Sequence, residues 1–221
     1  MKRYELLLFD FDGTLVDTAG DIAHHANAVL AENGLPTCTV DQVKDAIGFG
    51  VHELFKGIAP FFSKDPASLE MAVTSFRERY RKKPVLSTVP FPQVRETLGG
   101  PLKNITKAII TNKPQDITLA ILETLGLQNY FERVIGMHAG HPPKPDPTST
   151  KAMMERFQKN AQHVIYIGDS NVDAETCENA GIDFAWVDYG YDRLRDHVAK
   201  FQFSSASEWR ILSDAALRMT E

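Results

Sequence analysis

Four short apolar runs, each closed by a polar residue, constrain this chain more than any other feature. They are YELLLFD (residues 4–10), ITKAIIT (105–111), HVIYIGD (163–169) and DFAWVD (183–188), with a weaker run, ERVIG (132–136), between the second and the third. Unbroken runs of this length, rich in Ile, Val and aromatic residues, are what parallel strands covered on both faces require. The intervening stretches have helical periodicity. PQDITLAILETLGL (114–127) brings Ile117, Ala120, Ile121 and Leu125 to one side and has Gly126 as its stop, and PTSTKAMMERF (147–157) and SNVDAETCENAG (170–181) behave similarly. Alternation of strand and helix over residues 105–190 predicts an α/β fold with a doubly wound parallel sheet.

One interval breaks the alternation. Between the first strand and the second, residues 19–83 read as helical throughout: GDIAHHANAVLAENG ends at Gly34, TVDQVKDAIG opens on a Thr cap, and DPASLEMAVTSFRERYRKK opens on Asp-Pro and ends basic. A crossover between parallel strands needs only one helix. The surplus predicts an inserted α-helical cap domain, residues 18–87, in a core formed by residues 1–17 and 88–221. The crossings fall near residues 17–20 and 84–92, where PVLSTVPFP has the extended character of a linker and two adjacent connections make a hinge. Length allows this, because 221 residues suffice for a core with an insertion. The tail 204–221 reads as a last amphipathic helix that packs Trp209, Leu212 and Leu217 on the core.

Composition narrows the partners. A net charge of −5 offers no basic footprint for nucleic acid or an anionic membrane, and the apolar stretch 6–9 is too short for a signal peptide or a span. The expectation is a cytoplasmic protein, monomer or homodimer, acting on a small molecule. Cys38 and Cys177 lie far apart without metal-ligand neighbours, which predicts free thiols in a reducing compartment.

In open α/β sheets, sites form at the carboxyl ends of strands where the strand order reverses. Here those ends carry Asp10, Asp12, Gly13 and Thr14; Thr111, Asn112 and Lys113; and Gly168, Asp169 and Ser170, with Asp173 one turn later, while HPPKPDP places Lys144 between prolines. Like charges about 5 Å apart at an effective dielectric near 20 repel by roughly 3 kcal/mol, so gathered carboxylates call for a cation. An all-oxygen donor set fits Mg2+ better than zinc. Metal and lysine around an anionic substrate point to phosphate.

DFDGTLVDT (10–18), IITN (109–112), KPDP (144–147) and GDSNVD (168–173) resemble, in order, the four motifs of the haloacid dehalogenase (HAD) superfamily, and the helical insertion resembles the C1 cap. The wider pattern, including PFPQVRETL (90–98) and IGFG (47–50), is most similar to the phosphoglycolate phosphatase-like members. The resemblance implies a phosphatase acting on a small phosphomonoester, with a β-phosphoglucomutase-like mutase or a pyrophosphatase as the alternative. Asp10 would be the nucleophile, forming an aspartyl phosphate, and Asp12 the acid and base, its pKa raised by neighbouring acids. Asp169 would hold magnesium with Asp10 and the backbone carbonyl of Asp12, and Asp173 would act through the metal's water shell. Thr111 and Asn112 would hydrogen-bond the phosphate, Lys144 would neutralise Asp10, and Gly13 would let backbone N–H groups face the phosphate.

Substrate choice is expected in the cap, which closes over the leaving group. In IGFGVHELF (47–55), Gly48, Phe49 and His52 are the candidate substrate contacts, although the two glycines serve a simple turn equally well. Asp21 and Glu53 read as surface acids. His138 and His141, close to Lys144, read first as solvated loop histidines.

Overall fold

A computed structural model of the chain describes residues 4–213. In chain order its elements are β1 (Leu6–Phe9), β2 (Val16–Asp17), α1 (Ala19–Glu32), α2 (Val40–Lys44), α3 (Val51–Ile58), α4 (Pro66–Lys82), β3 (Val89–Pro90), α5 (Val94–Gly99), β4 (Thr106–Pro114), α6 (Gln115–Thr124), β5 (Arg133–Met137), α7 (Thr148–Arg156), β6 (Val164–Gly168), α8 (Asn171–Ala180), β7 (Asp183–Val187) and β8 (Phe201–Phe203).

Six strands form one parallel sheet in the order β5-β4-β1-β6-β7-β8. The chain runs outward from β1 through β4 to β5, then crosses back to β6 on the other side of β1. The reversal of strand order therefore lies at the carboxyl end of β1. Side chains of β1 alternate between two apolar layers, Leu7 and Phe9 in one and Leu6 and Leu8 in the other, as a strand covered on both faces requires.

The helices form where the sequence signals them. Thr39 caps α2 in a reciprocal capping box with Gln42, and Asp65 with Pro66 opens α4, whose last turn carries Arg79, Arg81 and Lys82. Gly181 stops α8 in the left-handed region. Three short strands were not foreseen. β8 is an edge strand of three residues, too short to register as an apolar run, and β2 pairs antiparallel with β3 where the cap leaves and rejoins the core. The expected last helix begins as a 3-10 turn, Ala206–Arg210, with Trp209 and Leu212 fully buried. Leu217 lies outside the described residues.

Asp21 is a correction to the sequence reading. It is buried at 1% exposure in the first turn of α1, where its carboxylate accepts bonds from Leu86 N (2.8 Å), Ser87 N (2.7 Å) and Oγ (2.6 Å), and Thr88 N (3.1 Å) and Oγ1 (2.6 Å). Burial opposes its charge, but these donors outweigh burial and hold its pKa down at about 2. In sequence it reads as a solvated helix acid because the five donors lie in the returning linker, more than sixty residues away. Cap and core are also joined at the surface by Arg81 of α4, whose Nε donates to Asp116 of α6 at 2.8 Å.

Candidate active site

The register of β1 positions the site. Phe9 is aligned with Ile109 of β4 and Ile167 of β6, and Asp10 N donates to Ile167 O at 2.9 Å. Asp10 follows Phe9 directly, and Thr111 and Asp169 lie two residues beyond Ile109 and Ile167, so three neighbouring strand ends each deliver one buried polar side chain to the site.

Lys144 Nζ is 2.8 Å from Asp10 Oδ1, 2.6 Å from Asp173 Oδ1 and 2.9 Å from the Tyr166 hydroxyl. The Tyr166 hydroxyl in turn donates a hydrogen bond to Ile110 O at 2.5 Å. Burial alone would strip the lysine of its charge, but Asp10 and Asp173 outweigh it and raise its pKa above the ordinary value. The second oxygen of Asp173 accepts from Ser170 N (3.1 Å) and Oγ (2.7 Å), so this carboxylate braces Lys144 and caps α8 at once.

Asp169 accepts from Thr14 Oγ1 through one oxygen and from Tyr191 N through the other, each at 2.8 Å. Burial, then Asp10 and Asp173, push its pKa well above the carboxylate range. Burial likewise pushes Asp10 up to about 7, against the pull of Lys144. Carboxylate oxygens of Asp10, Asp169 and Asp173 lie within 4.8 Å of one another. Three buried, hard oxygen donors whose charged forms are disfavoured make a set that a divalent hard cation would satisfy, so the residues fit magnesium.

Asp12 stands apart from that cluster. Its carboxylate meets Lys113 Nζ at 3.1 Å and accepts from Thr18 Oγ1 at 2.6 Å, so the groups that touch it are a lysine and a hydroxyl rather than the acids expected. Its side chain is not among the three gathered carboxylates, and a metal role for Asp12 would fall to its backbone.

Gly13 differs from expectation in its role. Its N–H is spent inside the turn on Val16 O at 3.1 Å, and what demands glycine is space, because at φ +82° a Cβ here would lie 2.2 Å from Asp169 Oδ2. Gly190 presses on Asp169 from the other side, a Cβ there also falling 2.2 Å from it.

Asn112 also differs. Its amide nitrogen donates to Gly48 O (2.8 Å) and Lys144 O (2.9 Å), and its oxygen accepts from Lys144 N (2.8 Å). The side chain therefore joins the Lys144 loop to the cap instead of facing a phosphate. Thr111 keeps its hydroxyl proton uncommitted among the described residues, its oxygen accepting from Lys113 N at 3.2 Å.

A cavity between cap and core opens on this site, lined by Asp10, Asp12, Thr111, Asn112 and Lys113 below and by Ile22, Ile47, Val51, Leu54, Phe76 and Tyr80 from the cap. Gly48 and Gly50 line it as well, at φ +121° and +90°. The backbone path through these two glycines turns Phe49 outward, where it is 58% exposed, and His52 pairs with Glu70 at 3.0 Å on the outer face. Neither Phe49 nor His52 lines the cavity. His141 lies beside Lys144 in a separate small crevice with Thr111 and Ser149.

Sequence reasoning placed Thr14 and Lys113 at strand ends without giving either a role, and missed Tyr80, Thr18, Gly190 and Tyr191 as members of the site. The signal for Lys113 was present, since it shares a strand end with Thr111 and Asn112. YGY (189–191), one residue beyond β7, places a further glycine in the loop after a strand end.

The profile of the haloacid dehalogenase-like hydrolases matches residues 7–187. A phosphoglycolate phosphatase of Aquifex aeolicus is 32% identical over 210 residues, 95% of this chain and 96% of the relative, and one of Thiobacillus denitrificans is 33% identical over 229 residues, 100% of both. Among solved structures, a predicted phosphoglycolate phosphatase from Haemophilus somnus superposes with a TM-score of 0.87 at 23% identity over 100% of both chains, which speaks for the fold. A haloacid dehalogenase-like hydrolase from Bacteroides fragilis gives 0.83 at 27% identity, covering 93% of this chain and 99% of that one.

Proposed function

Since the chain belongs to the haloacid dehalogenase-like hydrolase family, and relatives along its whole length are named phosphoglycolate phosphatases, we propose that it is a magnesium-dependent phosphatase of small phosphomonoesters working through an aspartyl phosphate on Asp10. The observation that carries this reading is the buried contact of Asp10 with Lys144 at 2.8 Å, beside Asp169 and Asp173 and at the floor of the cavity between cap and core.

In the first half-reaction an Asp10 oxygen attacks phosphorus in line with the ester oxygen. The bond from Asp10 to phosphorus forms as the ester bond breaks, and Asp12 delivers a proton to the departing alkoxide. In the second, Asp12 takes a proton from water as that water attacks phosphorus, the Asp10 bond breaks, and inorganic phosphate leaves. Thr111 donates to a phosphoryl oxygen, and Lys144, kept charged by its two carboxylates, offsets the charge of Asp10 and of the transferring group. Asp10 and Asp169, with the Asp12 backbone carbonyl and the support of Asp173, would hold magnesium, which would supply charge neutralisation for the transferring group. The apolar cap wall keeps bulk water from the intermediate.

Phosphate release from a panel of phosphomonoesters, with magnesium and with a chelator, tests this reading. Asp10→Asn should reduce turnover by on the order of 10^4-fold or more. Substantial residual turnover in that variant, or full activity in the chelator, refutes it. Conversion of a sugar 1-phosphate to its 6-phosphate without net phosphate release would mark a mutase instead.

A further inference from the structure

Lys113 is the charged residue of the cavity that the reaction above leaves without a task. It is buried at the end of β4, with Nζ 3.1 and 3.2 Å from the two Asp12 oxygens and 3.3 Å from the Tyr80 hydroxyl, and the Tyr80 ring centroid is 4.5 Å away. An ammonium group carries three protons, and among the described residues Asp12 and Tyr80 account for two. The side chain lines the cavity, and no other lysine, arginine or histidine among the described residues does so. Beyond the acids and Lys113 the roof is apolar, formed by Ile22, Ile47, Val51, Leu54 and Phe76.

The position of this cation relative to Asp12 sets what it can recognise. As proton donor, Asp12 must come within about 2.6–3.2 Å of the ester oxygen. A carboxylate on the carbon that bears that oxygen has its own oxygens within about 3.5 Å of it, by ordinary bond lengths. An ammonium 3.1 Å from Asp12 is within reach of such a carboxylate. A carboxylate several carbons farther along would be carried into the apolar roof, where a buried charge without a partner is costly.

We propose that Lys113 is the specificity-determining residue of this site and that it binds a carboxylate on the carbon next to the ester oxygen, so that the substrates are phosphomonoesters of short α-hydroxy acids. The inference rests on the phosphatase reading and narrows it to a substrate class, of which phosphoglycolate is the smallest member. Tyr80, reaching down from α4 of the cap, holds the ammonium group over the acid, so the carboxylate is gripped from the core while the cap supplies only apolar contact.

The test is a ratio. Wild-type protein in magnesium should turn over phosphoglycolate with a kcat/KM on the order of 10- to 100-fold above that of ethyl phosphate, which has the same carbon skeleton without the carboxylate, as one charged hydrogen bond predicts. Lys113→Met should collapse that ratio towards unity, and Lys113→Arg should keep most of it. A merely structural role for Lys113 would lower both substrates together and leave the ratio unmoved, which overturns the proposal. So does a wild-type preference for ethyl phosphate. Inhibition of the wild-type protein gives a second reading that no folding defect can affect. 3-Phosphonopropionate, the phosphonate isostere of phosphoglycolate, should bind at least about 10-fold more tightly than propylphosphonate, and equal inhibition overturns the proposal. Absence of phosphate release from every monoester, by contrast, brings down the phosphatase reading itself and this inference with it.

Discussion

Replacing Asp21 by Asn should destabilise the protein at the joint between cap and core. The carboxylate accepts five hydrogen bonds from Leu86, Ser87 and Thr88, two on one oxygen and three on the other. A carboxamide keeps one oxygen and turns an NH2 group towards the remaining donors, leaving two or three of them without an acceptor at about 1–3 kcal/mol each. The electrostatic part follows from linkage. A pKa held at about 2 rather than the usual 3.8 corresponds to about 2 kcal/mol at neutral pH. The two figures describe the same hydrogen bonds, which are what lower the pKa, so they overlap rather than add, and they predict a loss of about 2–5 kcal/mol, a drop in Tm of about 4–20 °C for a chain of this size. Because the folded pKa lies below the unfolded one, the charge-dependent part is complete above about pH 5 and disappears as pH falls through 4 towards 2. The gap between wild type and variant should narrow by about 1 kcal/mol between pH 7 and pH 3. Urea denaturation followed by tryptophan fluorescence at the two pH values measures both. A deficit under about 1 kcal/mol at pH 7, or one that does not narrow in acid, would refute the reasoning.

Burial pushes Asp10 up to about 7 and raises Asp169 too, so between pH 4 and 7 the folded, metal-free protein holds protons that the unfolded chain has released. Its stability should fall as pH rises across that window, and a fixed concentration of magnesium, competing with those protons, should protect more at pH 8 than at pH 6, the protection reaching about 3 kcal/mol where that concentration is 100 times Kd; thermal shift with magnesium and with chelator decides, and equal protection at the two pH values would count against the metal set. Gly13→Ala must displace Asp169, since its Cβ would lie 2.2 Å from that carboxylate, so magnesium-dependent turnover should fall by about 100-fold or more while far-UV circular dichroism stays native. Phe49→Ala should change kcat/KM by less than about 3-fold, because Phe49 faces solvent; a larger loss in the steady-state assay would show that this loop rearranges when substrate binds.

What the sequence made legible were features governed by local periodicity. The strands β1, β4, β6 and β7, the capped helices and the acids at strand ends follow from apolar spacing and from the rule that sites lie where strand order reverses. What it concealed were partnerships between distant segments. Asp21 looks like an ordinary first-turn acid until the linker donors reach it, and Asn112 looks like a phosphate ligand until the backbone of Lys144 and Gly48 occupies its amide. Lys113 was visible at its strand end, but its pairing with Asp12 and Tyr80 depends on how α4 lies over β4, which no local pattern encodes. Phe49 was misread because a loop with two glycines at positive φ can present its middle residue to either side.

The pairing of β2 with β3 means that Val16 and Pro90 are neighbours across a ladder. To the core, everything from Thr18 to Thr88 is therefore the loop of a hairpin. Closing a flexible loop costs only about 0.6 kcal/mol more for each doubling of its length, so this position tolerates growth, shortening or exchange of the intervening chain at little thermodynamic expense. Asp10 and Lys144 lie outside the exchanged segment, in the core. A fold so arranged can diversify what it recognises by replacing one contiguous stretch of gene, while the chemistry stays where it was.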